Sequence, residues 1–375
     1  MEAHAVIGIG FGDEGKGHVV DYLCSQMPNS IVVRFSGGPQ AAHQVIMEDG
    51  RDHVFAHFGS GTFRNIPTLW TKYCPMNPVA LIKELGVLRD KQTDPRITID
   101  PKCPVITPDD IQSNKMQESA RMAKHGTCGV GISTTYFREK ANCSLLFEDL
   151  FHPTVLKIKI QMVEQFYRTV VPWELDYSEF FEACEKIRKS KNIYCLPAYP
   201  DWGKRVIFEG SQGLMLDKDI GFFPYVTPSN TGLTNILDMG YSPIINFVTR
   251  AYQTRHGNGP MSPMTPNNIR NNPYEKNTDD GPQGEFRKTL LDLDIIRYAL
   301  AKDKQSVFIG KPKNIFINCL DLVKDEYRLF DGGDIIQTND EDDFVSKIKH
   351  ACMATNVYRS YTPFASGIRK DQANE

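Results

Sequence analysis

The sequence has no excess of either charge: 43 Lys and Arg stand against 46 Asp and Glu, a net of −3. A chain so balanced has no global attraction for nucleic acid or for an anionic membrane surface. Its nine cysteines are scattered without a C-x-x-C pair, and an odd count is a poor basis for a disulfide framework, so reduced cytosolic thiols are expected. The nine histidines fall in no zinc spacing. No apolar run is long enough to span a bilayer, and the chain enters a strand at once, so no signal peptide and a cytosolic location are expected. Internal repeats and low-complexity linkers are missing too. What remains is an ordinary globular composition, 41% hydrophobic and 24% charged over 375 residues, enough for two domains or one large α/β unit.

What is there is glycine, placed after strands. His4 to Ile9 is an apolar run suited to a buried parallel strand, and Gly10, Gly12, Gly15 and Gly17 follow it with Asp13, Glu14 and Lys16 between them. His18 onward returns to helical spacing, with Val19, Val20 and Leu23 on one side. Strand, glycine loop and helix together present backbone N–H groups and a helix N-terminus to a phosphate. Gly10 to Lys16 reads G-x-x-x-x-G-K, yet Gly17 stands where a P-loop has the Ser or Thr that holds magnesium. A metal there needs another ligand, and Asp13 is the candidate. The plain alternative is a strand-to-helix turn whose acids are only solvated.

Further along, Ser30–Phe35 is expected as a strand running into the small-residue loop Ser36–His43, with Val45-Ile46 after it. His53–Thr62 is a short strand followed by Gly59-Ser60-Gly61. Asn77 and Pro78 mark the start of a helix to Leu88. Ile97–Ile99 and Pro104–Ile106 read as brief strands, and 124–133 as a third glycine loop. Pro153–Ser190 turns helical, with Asp176 and Glu179 at a capped start and Phe180, Phe181, Cys184 and Ile187 as a core stripe. Strands are expected at Arg205–Phe208, Ile244–Val248, Val307–Ile309 and Ile315–Ile317, and helices at Asp292–Leu300 and Phe344–Met353. Residues 262–286 are polar and rich in Pro, Asn and Gly, a long mobile loop by composition. The basic residues between 302 and 313 read as a solvated face, so no nucleic-acid partner is expected. The recurrence of strand and glycine loop predicts one α/β domain over residues 1–375 around a mostly parallel sheet, with ligands beyond the carboxyl ends of its strands.

Five segments together resemble the adenylosuccinate synthetase family: GDEGKGHVVD (12–21), VRFSGGPQAAH (33–43), GTCGVGISTTY (126–136), FEGSQGLMLD with GFFPYVTPSN (208–230), and RAYQTRHGNGP (250–260). The resemblance implies a ligase that joins L-aspartate to the 6-oxo position of a purine nucleoside monophosphate, driven by a nucleoside triphosphate through a 6-phosphoryl intermediate. It implies Asp13 as the base that takes the N1 proton and as a Mg²⁺ ligand, with the Ala42 carbonyl as second ligand. His43 becomes the second catalytic residue, supporting charge on O6 and the departing phosphoryl oxygen. Taken alone, a loop histidine is more often structural. The triphosphate would meet Gly12, Asp13, Glu14, Gly15, Lys16, Gly17, Ala42, His43, Gln44, Asn318, Asp321, Ser366 and Gly367. The acceptor nucleotide would meet Gln40, Thr127, Gln212 and Thr227, and Arg287 remains as the single carboxylate-binding arginine for aspartate. A homodimer is implied as well.

The departures cluster where nucleotide identity is read. The family's T-K-L-D segment is Asn318-Cys319-Leu320-Asp321 here, so its lysine is gone, and the arginine-rich aspartate loop shrinks to QGEFRKTLLD (283–292). Gln40 stands for asparagine. These changes resemble the bacteriophage branch of the family, in which dGMP is the acceptor and ATP the donor. The alternatives are an IMP- and GTP-using enzyme and, in another class, a P-loop-like nucleotide switch, which needs neither Asp13 nor His43.

Overall fold

The protein is described from a computed structural model covering residues 2–122, 125–196, 205–265, 269–277, 283–303, 312–323 and 327–372. Its spine is a ten-stranded sheet in which β1 (Glu2–Gly8) lies at the middle, between β8 (Arg205–Gly213) and β9 (Ile244–Arg250). Beyond β8 come β2 (Ser30–Arg34), β5 (Thr68–Trp70), β6 (Ile97–Ile99) and β7 (Ile193–Cys195). Beyond β9 come β12 (Lys313–Asn318), β15 (Asn356–Arg359) and β16 (Arg369–Lys370). Every junction is parallel except β15–β16. A strand deep in a parallel sheet is covered on both faces, so it reads as a continuous apolar run, and Ala3 to Gly8 are all buried. The predicted α/β class and mostly parallel sheet hold.

Two smaller sheets stand beside this one. A hairpin pairs β3 (His43–Ile46) with β4 (Asp52–Phe55). A four-stranded sheet runs β10 (Tyr252–His256), β11 (Phe286–Asp292), β13 (Arg328–Asp331) and β14 (Asp334–Gln337). The segment after β9, for which the sequence gives no strand of its own, turns into β10 and pairs antiparallel with β11.

Helices cover the sheet where their apolar faces demand it. α1 (Lys16–Gln26) buries Val19, Val20, Leu23 and Cys24 against β1 and β8. α2 (Pro78–Asp90) starts as predicted, with the Asn77 side chain accepting from Ala80 N at 3.1 Å and Pro78 in the first turn. α3 (Pro108–Ala120) was not expected, although Thr107 and Asp110 form a reciprocal capping box with Pro108 between them. α4 (Ile132–Lys140) consumes the end of the third glycine loop. α5 (Pro153–Tyr167) and α6 (Ser178–Lys189) divide the predicted helical stretch, and Asp176 Oδ1 accepts from Ser178 N at 2.8 Å. α7 (Thr234–Asp238) is short, and α8 (Leu293–Lys302) is capped by Asp292. α9 (Glu341–Ala351) begins three residues before its predicted start, because the Asp340 side chain caps it by accepting from Asp343 N.

Pro104–Ile106 is corrected: it forms only isolated bridges, Met76 to Val105 and Pro104 to Leu146, since two prolines within four residues cannot sustain a ladder. The predicted strand at 307–309 lies outside the described residues, as do 266–268 and 278–282 of the expected mobile loop. Phe286, the last residue of that loop, already belongs to β11.

Candidate active site

The carboxyl ends of β1, β2, β8, β9 and β12 open onto one cavity of about 1430 Å³. The topology explains its place: β1 sends its chain out to β2 on one side while β8 and β9 flank it, so the loops part there and leave a crevice.

The loop after β1 forms one wall, and its backbone is held from outside. Thr254 Oγ1 donates to Gly12 O at 2.9 Å, Arg250 Nε to Asp13 O at 2.5 Å, and Asn318 Nδ2 to Glu14 O at 2.8 Å. In a planar trans peptide the N–H points opposite the C=O, so three successive carbonyls tied back leave the N–H groups of Asp13, Glu14 and Gly15 facing away from those anchors. Gly15 has φ +89 and packs so close that a Cβ would lie 2.6 Å from Asn318 Nδ2. Glu14 and Lys16 are buried and paired at 3.0 Å, and Glu14 Oε1 also accepts from Gly10 N at 2.5 Å.

Gly17, where a P-loop has Ser or Thr, has a steric reason. A Cβ there would lie 2.7 Å from the Cβ of His43 and 3.0 Å from Ser60 Oγ. The space a P-loop hydroxyl would need is filled by His43, the residue to which the family resemblance gives a catalytic role.

His43 is 8% exposed, with Nδ1 2.6 Å from Glu209 Oε1 and Nε2 3.2 Å from Ser211 O. Burial pushes the imidazole below its ordinary value, and the Glu209 carboxylate offsets part of that shift. Glu209 is fully buried. Burial raises its carboxyl, but Arg34 first, then His43 and Ser60, outweigh it and bring it down to about 2. Glu209, Ser60 and Arg34 were not singled out from sequence, although Arg34 and Glu209 lie inside the quoted motifs. The available signal was a buried carboxylate in an apolar strand, which calls for a partner.

Four side chains expected to meet the acceptor nucleotide line this same cavity, and each carries a buried polar atom with no hydrogen-bond partner: Gln40 Oε1, Thr127 Oγ1, Gln212 Oε1 and Thr227 Oγ1. Such atoms are costly to bury unpaired, and these four, with His18 Nε2, His256 Nδ1 and Asn318 Oδ1 on the same cavity, mark where polar ligands belong.

Gly12 to Gly17, Ala42, Gln44, Asn318 and Asp321 line the cavity as well. Ser366 and Gly367 do not; Ser366 Oγ instead donates to Glu48. Arg287 is not among the lining residues either. Its guanidinium donates to the carbonyls of Gly257 at 2.5 Å and Gly259 at 2.9 Å. Arg255 does line the cavity, with its guanidinium held by the carbonyls of Asn258, Pro260 and Tyr225.

For a metal, the donors present are oxygens. The Asp13 carboxylate and the Ala42 carbonyl both border the cavity, and neither accepts a hydrogen bond among the described residues. No cluster of three His, Cys, Asp or Glu stands ready among those residues. That suits magnesium, which takes one or two protein oxygens and fills the rest of its octahedron with water and substrate phosphates.

Comparison with known proteins gives the family. The adenylosuccinate synthetase profile matches residues 5–366. The chain is 31% identical over 332 residues to the adenylosuccinate synthetase of Thermoplasma acidophilum, covering 80% of this chain and 72% of that one. It is 33% identical over 276 residues to adenylosuccinate synthetase 1 of Pseudoalteromonas translucida, covering 68% of this chain and 62% of that one. In fold it is similar to the fully ligated adenylosuccinate synthetase of Plasmodium falciparum, with a TM-score of 0.83 at 18% identity over 99% of this chain and 100% of that one. It is also similar to the cyanophage S-2L succinoaminodeoxyadenylate synthetase bound to dGMP and dATP, with a TM-score of 0.66 at 15% identity over 98% and 95%. With that match running nearly end to end, the chain belongs to the adenylosuccinate synthetase family of carbon–nitrogen ligases.

Proposed function

We propose that the protein condenses L-aspartate with dGMP at the expense of ATP, giving 2-amino-N6-succinyl-dAMP, ADP and phosphate, as expected of the bacteriophage branch. The observation that carries the reaction type is the ring of unpartnered atoms on Gln40, Thr127, Gln212 and Thr227, which shares its cavity with Asp13 and His43. Guanine has the same N1–H and 6-oxo group as hypoxanthine, so the chemistry is unchanged between dGMP and IMP. Asp13 takes the N1 proton, which lets O6 attack the γ-phosphorus as the bond to the β,γ-bridging oxygen breaks and ADP leaves. His43 supports the charge that collects on O6 and the transferred phosphoryl group. The neutral aspartate amine then attacks C6, the C6–O bond breaks, phosphate leaves with the electron pair, and the proton shed by the new N6 goes to that phosphate. Lys16 and the amides of the first loop hold the triphosphate. Magnesium, when bound through Asp13 and the Ala42 carbonyl, neutralises phosphate charge.

The donor is read as ATP because Cys319 replaces the lysine of the family's T-K-L-D segment, leaving Asn318 and Asp321 at the cavity edge. The cyanophage neighbour, bound to dGMP and with dATP as energy donor, is in keeping with a dGMP acceptor and an adenine donor. A second reading, IMP with GTP, is favoured by the retention of Asp13, the loop aspartate that many members of the bacteriophage branch replace, and by curated relatives that are adenylosuccinate synthetases. The test is phosphate release with aspartate present, crossing dGMP, GMP and IMP against ATP and GTP, with product masses measured. A product heavier than dGMP by one aspartate less water supports the first reading. Activity confined to IMP and GTP establishes the second. Hydrolysis indifferent to aspartate sinks both in favour of a nucleotide switch.

A further inference from the structure

A buried carboxylate in direct contact with a catalytic histidine can set which ring nitrogen carries the proton. Both oxygens of Glu209 are committed: Oε2 accepts from Ser60 N at 3.0 Å, and Oε1 faces His43 Nδ1 at 2.6 Å while also accepting from Ser60 Oγ. A backbone N–H can only donate, so Ser60 fixes the carboxylate against rotation from the main chain. Glu209 comes from β8 at the middle of the sheet and Ser60 from the segment between β4 and β5, so the carboxylate is held from outside β3, the strand that carries His43. Arg34 lies close enough to keep the carboxylate charged, although its own hydrogen bonds go to Ala41 O at 2.9 Å and Ser211 Oγ at 3.4 Å.

We propose that Glu209, locked by Ser60, is the positioning residue that fixes His43 in the Nδ1–H tautomer and leaves Nε2 as the nitrogen turned to the acceptor's 6-oxygen, where, once protonated, it supports the charge that collects there. The Ser211 carbonyl, 3.2 Å from Nε2, is the partner available whenever that nitrogen holds hydrogen. The inference rests on the reading of His43 given above. It has a consequence that a merely structural carboxylate would not share. In Glu209→Gln the amide oxygen must take the place facing the Ser60 N–H, because that donor requires an acceptor. The NH₂ group then faces His43 Nδ1 and donates to it, so the ring is driven to the opposite tautomer, with Nε2–H.

The test is ¹⁵N NMR of histidine-labelled full-length protein, with the His43 signals assigned by difference from His43→Asn. A protonated, pyrrole-type Nδ1 in the wild type and a bare, pyridine-type Nδ1 in Glu209→Gln are expected. With this flip, kcat should fall roughly 10²-fold, with KM for both nucleotides within about threefold of the wild type. A wild-type Nε2–H tautomer overturns the proposal without need of any variant. So does an unchanged tautomer in Glu209→Gln, or a flipped tautomer with near-normal kcat. The readouts separate from the functional reading: a wild type that lacks aspartate-dependent phosphate release refutes that reading, whereas the NMR result decides the tautomer in either case.

Discussion

The two walls of the cavity are built on opposite plans. On the phosphate side the main chain of the loop is tied from outside, the carbonyls of Gly12, Asp13 and Glu14 to Thr254, Arg250 and Asn318, and the Glu14 side chain to Lys16 and Gly10 N. On the acceptor side Gln40, Thr127, Gln212 and Thr227 are held in place with polar atoms left over. Backbone amides lose little by waiting for a phosphate, provided the loop cannot collapse, so rigidity is placed there. Discrimination between purines needs side-chain donors and acceptors that go unpaired without ligand, and unpaired buried groups lower the stability of the empty protein. The clamped wall is preorganised for charge, and the open wall gives up stability for selectivity.

Asp13 sits where the walls meet, and its removal should break the comparison most completely. Asp13→Asn keeps the loop geometry, since Arg250 holds the main-chain oxygen and not the carboxylate. Loss of the base should cost about 10³-fold in turnover while triphosphate binding, measured by calorimetry, stays within a few fold. Near-normal turnover would remove Asp13 from its assigned role.

A third place, outside the residues that line the cavity, gives a reference for what pairing of a buried carboxylate contributes. Glu84 on α2 accepts from Ala56 N at 2.9 Å and His57 N at 2.7 Å, with His57 Nδ1 at 3.3 Å and His53 Nε2 at 3.5 Å. Burial pushes this carboxyl up, but the two histidines and the amides outweigh it and bring it from 4.5 to about 2. A folded value below the unfolded one means the contribution is present above about pH 4.5 and is lost as pH falls toward 2. The depression corresponds to about 3 kcal/mol. Urea melts between pH 6 and pH 3 should show a falling midpoint that Glu84→Gln flattens. An unchanged slope in the variant would assign the acid limb elsewhere.

The clamp itself is tested by Thr254→Val, which keeps the shape and deletes the donor to Gly12 O. An unpaired buried carbonyl should cost about 1–3 kcal/mol, read as a lowered urea midpoint in the absence of ligand. A variant as stable as the wild type would show that the carbonyl finds another partner and that the wall is not held as described.

Much of this was legible in the chain, and the parts that were not have physical reasons. β1 and the glycine loop could be read because a central parallel strand must be apolar and a phosphate loop must be glycine-rich. Asn77 with Pro78 announced α2 for the same kind of local reason. Thr107, Pro108 and Asp110 carried an equally good signal for α3 that the neighbouring proline-broken segment obscured. β10 and β11 were hidden because their pairing joins residues thirty or more apart across a polar stretch, and no local pattern encodes that. The anchors come from two distant parts of the sequence, Arg250 and Thr254 from one segment and Asn318 from another, and the pairing of β9 with β12 sets Asn318 opposite Arg250. Glu209 was invisible as a partner of His43 for the same reason, being 166 residues away.

The smallest expected effect separates the walls most sharply. Thr227 is 8% exposed and its Oγ1 has no partner, so Thr227→Val removes a buried hydroxyl without opening a cavity. On the clamped wall the same kind of change, Thr254→Val, destabilises. On the open wall it should leave the urea midpoint of the ligand-free protein unchanged or slightly raised, because nothing is left unpaired and an unsatisfied group is gone. The penalty moves to the ligand: loss of one hydrogen bond of about 1.4 kcal/mol should raise KM for the acceptor nucleotide about tenfold, with KM for the triphosphate unaffected. If Thr227→Val instead destabilises the empty protein like Thr254→Val, its hydroxyl already serves the fold, and the two walls follow one plan.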